Sequence, residues 1–365
     1  MDNNFWRGKK VLITGHTGFK GSWLSAWLAK LGAQLYGYSL APPTQPSMYE
    51  LLQINSLFTK GVLADIRDKD FLKGFLEEVQ PDILFHLAAQ PLVKESYLHP
   101  YDTITTNIIG TANVLEAART SSFLKVVVNI TTDKCYENKG SSVCFTEEDK
   151  LGGNDVYSAS KASAELITHA YRQSFFHNSL GDMALRMATV RAGNVIGGGD
   201  FAKDRLIPDM IRSIFRKEPI ELRNPDAIRP WQHVLDPIYG YLLLAQRLYD
   251  TPNHDLDQAY NFGPNRESLK TVQEIVSLLL SQFGLQYYEI VNLHNQQFHE
   301  EKYLGLNSNK AKEYLGWEPI LDLPSALRFT ADWFSSFHNN ENMVKTTTLQ
   351  IEEFERMVQS RHVKL

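Results

Sequence analysis

Two residues four positions apart, Tyr157 and Lys161, have the side chains needed to take a proton from an alcohol. On a helix they lie on one face, so the lysine charge is predicted to lower the pKa of the tyrosine hydroxyl. Thr132, one predicted strand earlier, adds a hydroxyl that can bind the same alcohol. The alternative is an ordinary surface pair on a helix, which Thr132 argues against. The three residues predict an oxidation of a carbinol, provided that a hydride acceptor binds beside them.

A place for that acceptor is predicted where Gly15, Gly18 and Gly21 recur at three-residue spacing. The apolar run 10–14 before them is typical of a buried strand, and the periodic run 22–31 after them is typical of a helix. Strand, tight turn and helix form the unit that places a pyrophosphate on a helix N-terminus. A plain tight turn is the alternative, and the strand–helix context favours the dinucleotide site. The turn also contains three further candidates for phosphate contact, Thr17, Phe19 and Lys20.

The second predicted strand, 34–40, ends without the acidic residue that usually binds the adenosine ribose. Ser39 can hydrogen-bond a 2′-hydroxyl but does not repel a 2′-phosphate. The residues therefore leave NAD and NADP open, and the absence of an arginine at this strand end favours NAD.

The composition excludes several classes of partner. The chain has 365 residues, is 43% hydrophobic and 22% charged, and carries a formal net charge of −5. This balance predicts no binding to nucleic acid or to a membrane surface. The two cysteines suit a reducing compartment, and no signal-peptide pattern, membrane-spanning run or metal-ligand spacing is present, so a cytoplasmic enzyme without a metal is expected.

Strands and helices alternate through the first half of the sequence, which predicts an α/β fold with a Rossmann-type, doubly wound parallel sheet. The texture changes after Gly193, where glycine, proline and aromatic residues mix. A smaller C-terminal α/β substrate domain is expected there. The predicted strands are 11–14, 83–87, 125–131 and 184–190, and the predicted helices are 69–79, 105–119, 157–176, 271–282, 309–315 and a partly helical 349–359. The predicted domains are 1–190 with about 233–262 for the dinucleotide, 191–232 with 263–338 for the substrate, and a tail at 339–365.

The chemistry-bearing segments 15–21, 88–90 and 131–134 each follow a predicted strand. Ligands of open parallel sheets bind at the carboxyl ends of the strands, so these segments are expected to meet at one edge. At these residues the chain resembles the extended short-chain dehydrogenase/reductase family, in its sugar-nucleotide-modifying branch, over about residues 8–320. The motifs that resemble it are Thr14–Gly21, Asp65–Asp68, His86–Gln90, Asn107, Thr131–Lys134, Tyr157 with Lys161, and Arg191–Val195.

Within that branch the sequence is most similar to the 4,6-dehydratases that act on CDP-glucose. Better-known dehydratases of the branch carry a glutamate where this chain has Lys134. The resemblance implies that CDP-D-glucose becomes CDP-4-dehydro-6-deoxy-D-glucose and water, with NAD reduced and reoxidised in place. It further implies a product used for 3,6-dideoxyhexoses of a cell-surface polysaccharide such as O-antigen.

The resemblance also implies a role for each catalytic residue. Tyr157 would take the C4 hydroxyl proton, and Lys161 would lower the pKa of Tyr157 and bind the nicotinamide ribose. Asp133 would protonate the departing C6 hydroxyl. Lys134 would remove the C5 proton or stabilise the enolate, the alternative being only a salt bridge to Asp133. Thr132 would bind the reacting hydroxyl.

Binding residues follow from the same resemblance. Adenine contacts are implied for Asp65 and Ile66, although an aspartate after a strand is often a helix N-cap. The remaining cofactor contacts are implied for Leu87, Ala88, Ala89, Thr131 and Asn107, the last with a helix-start role as its alternative. Substrate contacts are implied for Ser96, Thr132, Asn194, Arg205 and Arg229, of which Arg205 has a merely solvated cation as its alternative.

Other functions remain open from the sequence. Another 4,6-dehydratase or a 4-epimerase of the same superfamily needs only the Tyr157–Lys161 pair, and a non-catalytic dinucleotide sensor needs neither. The helices 105–119 and 157–176 match the pair that forms a dimer interface in this family, so a homodimer or homotetramer is implied. Their apolar spacing serves a core face equally well.

Overall fold

A computed structural model describes residues 2–140, 142–176, 185–251, 254–293 and 301–362. Its strands, in chain order, are β1 (Lys10–Thr14), β2 (Gln34–Ser39), β3 (Phe58–Leu63), β4 (Ile83–His86), β5 (Val126–Ile130), β6 (Arg186–Ala192), β7 (Val195–Ile196), β8 (Ile220–Leu222), β9 (Ile228–Pro230), β10 (Gln232–His233), β11 (Ala259–Phe262), β12 (Leu269–Thr271) and β13 (Ile290–Asn292).

The α-helices are α1 (Phe19–Lys30), α2 (Met48–Leu51), α3 (Lys69–Val79), α4 (Val93–Leu98), α5 (Pro100–Ile104), α6 (Thr111–Arg119), α7 (Val156–Tyr171), α8 (Leu206–Arg216), α9 (Leu235–Asp250), α10 (Val272–Gln282), α11 (Asn309–Leu315), α12 (Leu323–His338) and α13 (Met343–His362). Two π-helical turns, Thr105–Gly110 and Arg172–Phe176, continue α5 and α7.

Seven strands form one sheet in the order β11-β6-β5-β4-β1-β2-β3, and every neighbouring pair is parallel. The central strands are buried almost throughout and largely apolar, because helices cover both faces of the sheet. The order reverses at β1 and β4, so a crevice opens beyond the carboxyl ends of these two strands. The predicted doubly wound α/β sheet is confirmed.

Beyond β6 the chain builds three two-stranded sheets over the carboxyl edge of the main sheet, β10 with β7, β12 with β9, and β13 with β8. The chain returns to the main sheet through α9 and β11, and β11 pairs with β6 at its edge. The region after β6 therefore covers the edge at which the loops of the dinucleotide half meet.

Helix α1 is buried on both sides, against the sheet and against the C-terminal helix α13. Trp23 and Trp27 of α1 have no exposed surface. The Trp27 indole donates to the Glu355 carboxylate at 2.9 Å, and Lys30 pairs with the same carboxylate at 2.7 Å. The tail thus forms a helix that packs on α1, whereas the sequence indicated only a partly helical segment.

Two predicted elements differ from the structure. The predicted helix 105–119 is a π-helical turn followed by α6, because α5 begins earlier, at Pro100. The predicted strand 184–190 is shifted to 186–192, and residue 184 lies outside the described residues.

No helix of the described ranges is both long enough and apolar enough to cross a bilayer.

Candidate active site

The glycine turn between β1 and α1 has backbone that only glycine fits. Gly15 has φ +77°, and a Cβ there would lie 2.7 Å from the Ala88 nitrogen. A Cβ on Gly21 would lie 2.2 Å from the Gly15 carbonyl oxygen. Gly18 is the N-cap of α1, makes no side-chain cap bond, and leaves the helix start open to an anion. The turn therefore fits the pyrophosphate of a dinucleotide.

The other turn residues point in different directions. The Thr17 hydroxyl contacts Ser39 Oγ at 2.7 Å and donates to the Leu40 carbonyl at 2.9 Å, so it holds the turn against β2. The Phe19 ring lies toward Gly197, where an added Cβ would be 3.4 Å away. Only the backbone of these two residues is therefore placed for a phosphate contact. Lys20 faces the crevice instead, where burial, Arg205 and Lys161 lower its pKa to about 8.

The adenine side is built by the loop after β3. The Asp65 carboxylate is held by Arg67 at 2.6 Å and accepts from the Arg67 backbone, so it is not a helix N-cap. Asp68 takes that cap position at the start of α3. Ile66 is buried, and a Cβ on Gly110 would lie 2.5 Å from its side chain.

After β4, the backbone of Leu87 and Ala88 lies so close to Gly15 that a Cβ there would be within 2.9 Å of both. The Ala88 nitrogen donates to the Thr14 hydroxyl at 3.2 Å. Ala89 follows them in the same loop. The Asn107 amide accepts from the Gln90 nitrogen at 2.8 Å and donates to Ser160 at 2.9 Å. Asn107 lies inside the π-helical turn rather than at a helix start, and it joins this loop to α7.

Helix α7, which carries Tyr157 and Lys161, begins just after its N-cap residue Asp155. Asp155 caps α7 by accepting from the Ser158 nitrogen at 2.9 Å, which places Tyr157 in the first turn and Lys161 one turn later. Burial raises the pKa of Tyr157 to about 12, and the strongest opposing effects come from the Thr132 hydroxyl and the Arg205 guanidinium. The sequence predicted a lowered pKa. In the protein without ligand, desolvation of the phenolate is the larger effect.

Thr132, Asp133 and Lys134 form a short turn at the end of β5. The Thr132 hydroxyl donates to Asp133 Oδ1 at 3.1 Å and accepts from the Lys134 nitrogen at 3.4 Å. Asp133 is buried, and its Oδ2 has no hydrogen-bond partner in the described part of the chain. Burial raises the pKa of this carboxyl although Lys134, Arg229 and Lys20 act against it. A carboxyl whose pKa is raised in this way is a better proton source near neutral pH than an exposed one.

Cations from four segments surround Asp133 and Tyr157. Arg229, on β9, is buried and acts on Asp133, and Arg205 acts on Tyr157. Arg205 is therefore more than a solvated loop cation, because its guanidinium pairs with the buried Asp200 at 2.9 Å. This concentration of positive charge suits a doubly charged diphosphate.

Ser96, the expected hexose contact, is buried in α4, where its hydroxyl donates to the Val93 carbonyl at 2.7 Å, and its contact with substrate stays a prediction. A cleft lined by Lys134, Asn138, Asp155 and Glu301 among others opens beside Val93. Asn194 lies between β6 and β7, where its carbonyl accepts from Gln232.

The Thr131 hydroxyl is bound within the protein. It donates to Glu165 on α7 and to the Val190 carbonyl, and its expected cofactor contact stays a prediction. Sequence reasoning missed Glu165 and Asp200 as residues of the site. Glu165 stands four residues after Lys161, a helical spacing that could have indicated it.

The chain matches the family model described as GDP-mannose 4,6 dehydratase over residues 12–330. A curated CDP-glucose 4,6-dehydratase of Salmonella typhimurium is 44% identical over 355 residues, which cover 97% of this chain and 98% of the relative. A dTDP-glucose 4,6-dehydratase of Xanthomonas campestris is 28% identical over 76% of this chain and 78% of the relative.

Solved structures of both reaction types share the fold. The dTDP-glucose 4,6-dehydratase DesIV of Streptomyces venezuelae, with NAD and TYD bound, matches with a TM-score of 0.77 and 23% identity over 91% of this chain and 98% of that one. A UDP-glucose 4-epimerase of Thermotoga maritima, with UDP-glucose, matches with a TM-score of 0.78 and 22% identity over 90% and 99%. Because a dehydratase and an epimerase match equally well, the fold alone does not separate the two reactions. The chain belongs to the GDP-mannose 4,6 dehydratase family, within the extended short-chain dehydrogenases/reductases that its motifs resemble.

Proposed function

We propose that the protein is an NAD-dependent hydro-lyase that converts CDP-D-glucose into CDP-4-dehydro-6-deoxy-D-glucose and water. The observation that carries this proposal is the Asp133–Lys134 pair beside Tyr157, since a 4-epimerase needs no second acid–base pair. The choice of CDP rests on the relative that is 44% identical over nearly the whole chain.

The cofactor would be held by the glycine turn, the Ala88 loop and the Ile66 loop, which fit a dinucleotide along the edge of the sheet. NAD, when bound, supplies reversible hydride transfer at C4 and C6 of the hexose. Lys161 would bind its nicotinamide ribose from the face of α7 that also bears Tyr157.

The remaining steps belong to side chains of this protein. Tyr157 takes the C4 hydroxyl proton, and the Arg205 guanidinium stabilises the phenolate that it presents, with Lys161 proposed to act on it from one turn later on α7. The C4 carbonyl makes the C5 hydrogen acidic, and Lys134 removes that proton or stabilises the enolate. Asp133 donates its proton to the C6 hydroxyl, which leaves as water, and a proton returns from Lys134 to C5 when C6 is reduced.

The substrate is bound through its charge and its hexose. Arg229, Arg205 and Asn194 would bind the diphosphate, and the hexose would occupy the cleft lined by Lys134. An arginine suits this task because its planar fork matches two phosphate oxygens at once.

The reaction type is tested by incubating the purified protein with CDP-glucose and NAD. A product lighter than the substrate by one water, with the alkaline absorbance of a 4-keto sugar, is expected. Asp133→Asn combined with Lys134→Met should abolish that product. A C4-inverted sugar of unchanged mass, formed equally by the double variant, would favour the epimerase.

We propose further that the protein is a homodimer formed through α5, the π-helical turn after it, and α7. Large apolar side chains are exposed on this face, including Tyr101, Ile109, Leu166 and Phe175. Of the apolar residues at helical spacing in these two segments, Val114, Ala117, Ala118 and Ala162 are buried in the core, whereas Leu166 and Ala170 are exposed. A monomer mass by light scattering would contradict the dimer. A cytoplasmic location is proposed from the unpaired Cys135 and Cys144.

A further inference from the structure

Several buried hydrogen bonds join the helix α7 to the sheet, and three of them converge on one carboxylate, that of Glu165. Thr131 Oγ1 donates to Glu165 Oε1 at 2.5 Å, Thr189 Oγ1 to Oε2 at 2.7 Å, and Arg191 Nη2 to Oε2 at 2.8 Å. The side chains of Glu165 and Arg191 are 3% and 4% exposed. These contacts come from the end of β5 and from β6, so they fix α7 at the edge where the site lies.

A buried ion pair often stabilises the position of a helix no better than apolar packing does. Packed apolar residues of similar volume often stabilise a core as well or better, because removing two charges from water is costly. Glu165 stands one turn after Lys161, a spacing that places both side chains on the same face of α7. The carboxylate therefore lies on the face that carries the catalytic residues.

Four groups act on Lys161 electrostatically or feel its charge. Glu165 lies on its own helix, Cys135 on the turn after β5, His86 at the end of β4, and Lys20 on α1. Burial raises the pKa of the Cys135 thiol and lowers the pKa of His86 to about 3, so both are neutral near pH 7. Lys20 repels Lys161. Within this set Glu165 supplies the negative charge, because Arg191 and the two threonines hold its pKa below the usual range despite burial.

We propose that Glu165 is a positioning residue of the reaction: its carboxylate holds the Lys161 ammonium charged and in place beside Tyr157. This inference rests on the proposed function, which gives Lys161 its role toward Tyr157 and the nicotinamide ribose. Burial already lowers the pKa of Lys161 to about 8, and Glu165 opposes that fall. Without Glu165, the lysine would lose its proton within the neutral range and with it its effect on Tyr157.

The test compares Glu165→Gln with a matched control, Thr189→Val. The control removes one hydrogen bond from the same carboxylate but keeps its charge. Two midpoints are measured: the pH at which Lys161 of the ligand-free protein becomes half reactive toward trace acetic anhydride, and the alkaline limb of CDP-glucose dehydration. In Glu165→Gln both are expected to fall by about one pH unit or more, as for loss of a neighbouring opposite charge. In Thr189→Val both stay at the wild-type pH, although the variant unfolds more easily.

If Glu165→Gln fails to fold, Arg191→Gln is added, which leaves no unpaired buried charge. The same acid shift is expected, since Glu165 rather than Arg191 acts on Lys161. A labelling midpoint that stays at the wild-type pH in a folded variant overturns the inference. A wild-type protein that does not dehydrate CDP-glucose contradicts the proposed function instead, and the labelling experiment still decides the role of Glu165.

Discussion

Replacing Asp133 by asparagine separates the two halves of the proposed elimination. The amide keeps the volume of the carboxyl, and its oxygen can still accept from Thr132, which lies 3.1 Å from Oδ1. It also preserves the close approach of this side chain to Gly193, where an added Cβ would lie 3.0 Å from Oδ2. The substitution therefore removes a proton donor and little else.

The size of the effect follows from the role of the acid. A positioned general acid contributes roughly 10²- to 10⁴-fold to a rate, or about 3 to 5 kcal/mol of barrier. Burial raises the pKa of Asp133, which favours the protonated carboxyl that this role requires. Loss of water from CDP-glucose is expected to slow by that factor in Asp133→Asn.

The assay follows two isotopic readouts in D₂O by mass spectrometry. Asp133→Asn should still exchange the C5 hydrogen of recovered CDP-glucose, because Lys134 and Tyr157 are intact, while formation of the dehydrated product falls. The companion variant Lys134→Met should lose both exchange and product. Dehydration by Asp133→Asn at the wild-type rate would refute the assignment. Exchange retained in Lys134→Met but lost in Asp133→Asn would reverse the two roles.

Three other variants test separate parts of the structure. Tyr157→Phe should lower turnover roughly 10²- to 10⁴-fold with an unchanged melting temperature, and near-normal turnover would exclude Tyr157 as the base. Gly21→Ala should abolish dinucleotide binding in calorimetry, because its Cβ would lie 2.2 Å from the Gly15 oxygen. The control Gly74→Ala, whose Cβ would have no atom within 4 Å, should bind the dinucleotide normally and stabilise α3 by about 1 kcal/mol. Burial raises the pKa of Asp236 from 3.8 to about 7, so between these values the unfolded chain binds fewer protons and stability falls as pH rises. Asp236→Asn should remove that loss, about 4 kcal/mol, in denaturant unfolding followed from pH 4 to pH 8, and parallel curves for the two proteins would contradict it.

The parts of the site that could be predicted from the sequence are those set by local spacing. Gly15 and Gly21 follow from a strand–turn–helix unit, and Tyr157 and Lys161 from helical periodicity. The motifs at the strand ends meet because parallel strands share one carboxyl edge. The first two inferences depend on backbone geometry that a short segment determines by itself. The third depends only on the strands being parallel.

The remaining features depend on which polar groups meet across the fold. The hydroxyls of Ser96 and Thr131 donate to Val93 and Glu165, and no spacing reveals these partners. Arg205 acts on Tyr157 while paired with Asp200, a contact made by a loop that follows no regular pattern. The raised pKa of Tyr157 likewise reflects burial, which is a property of the whole structure.

A panel of sugar nucleotides tests the central claim most directly. The purified protein, with and without added NAD, is given CDP-glucose, dTDP-glucose, UDP-glucose and GDP-mannose separately, and product mass and alkaline absorbance are read. Loss of one water from CDP-glucose, with little or none from the other three, is the predicted result. Dehydration of another sugar nucleotide in preference to CDP-glucose, or none of any while NAD is bound, would contradict the proposed function.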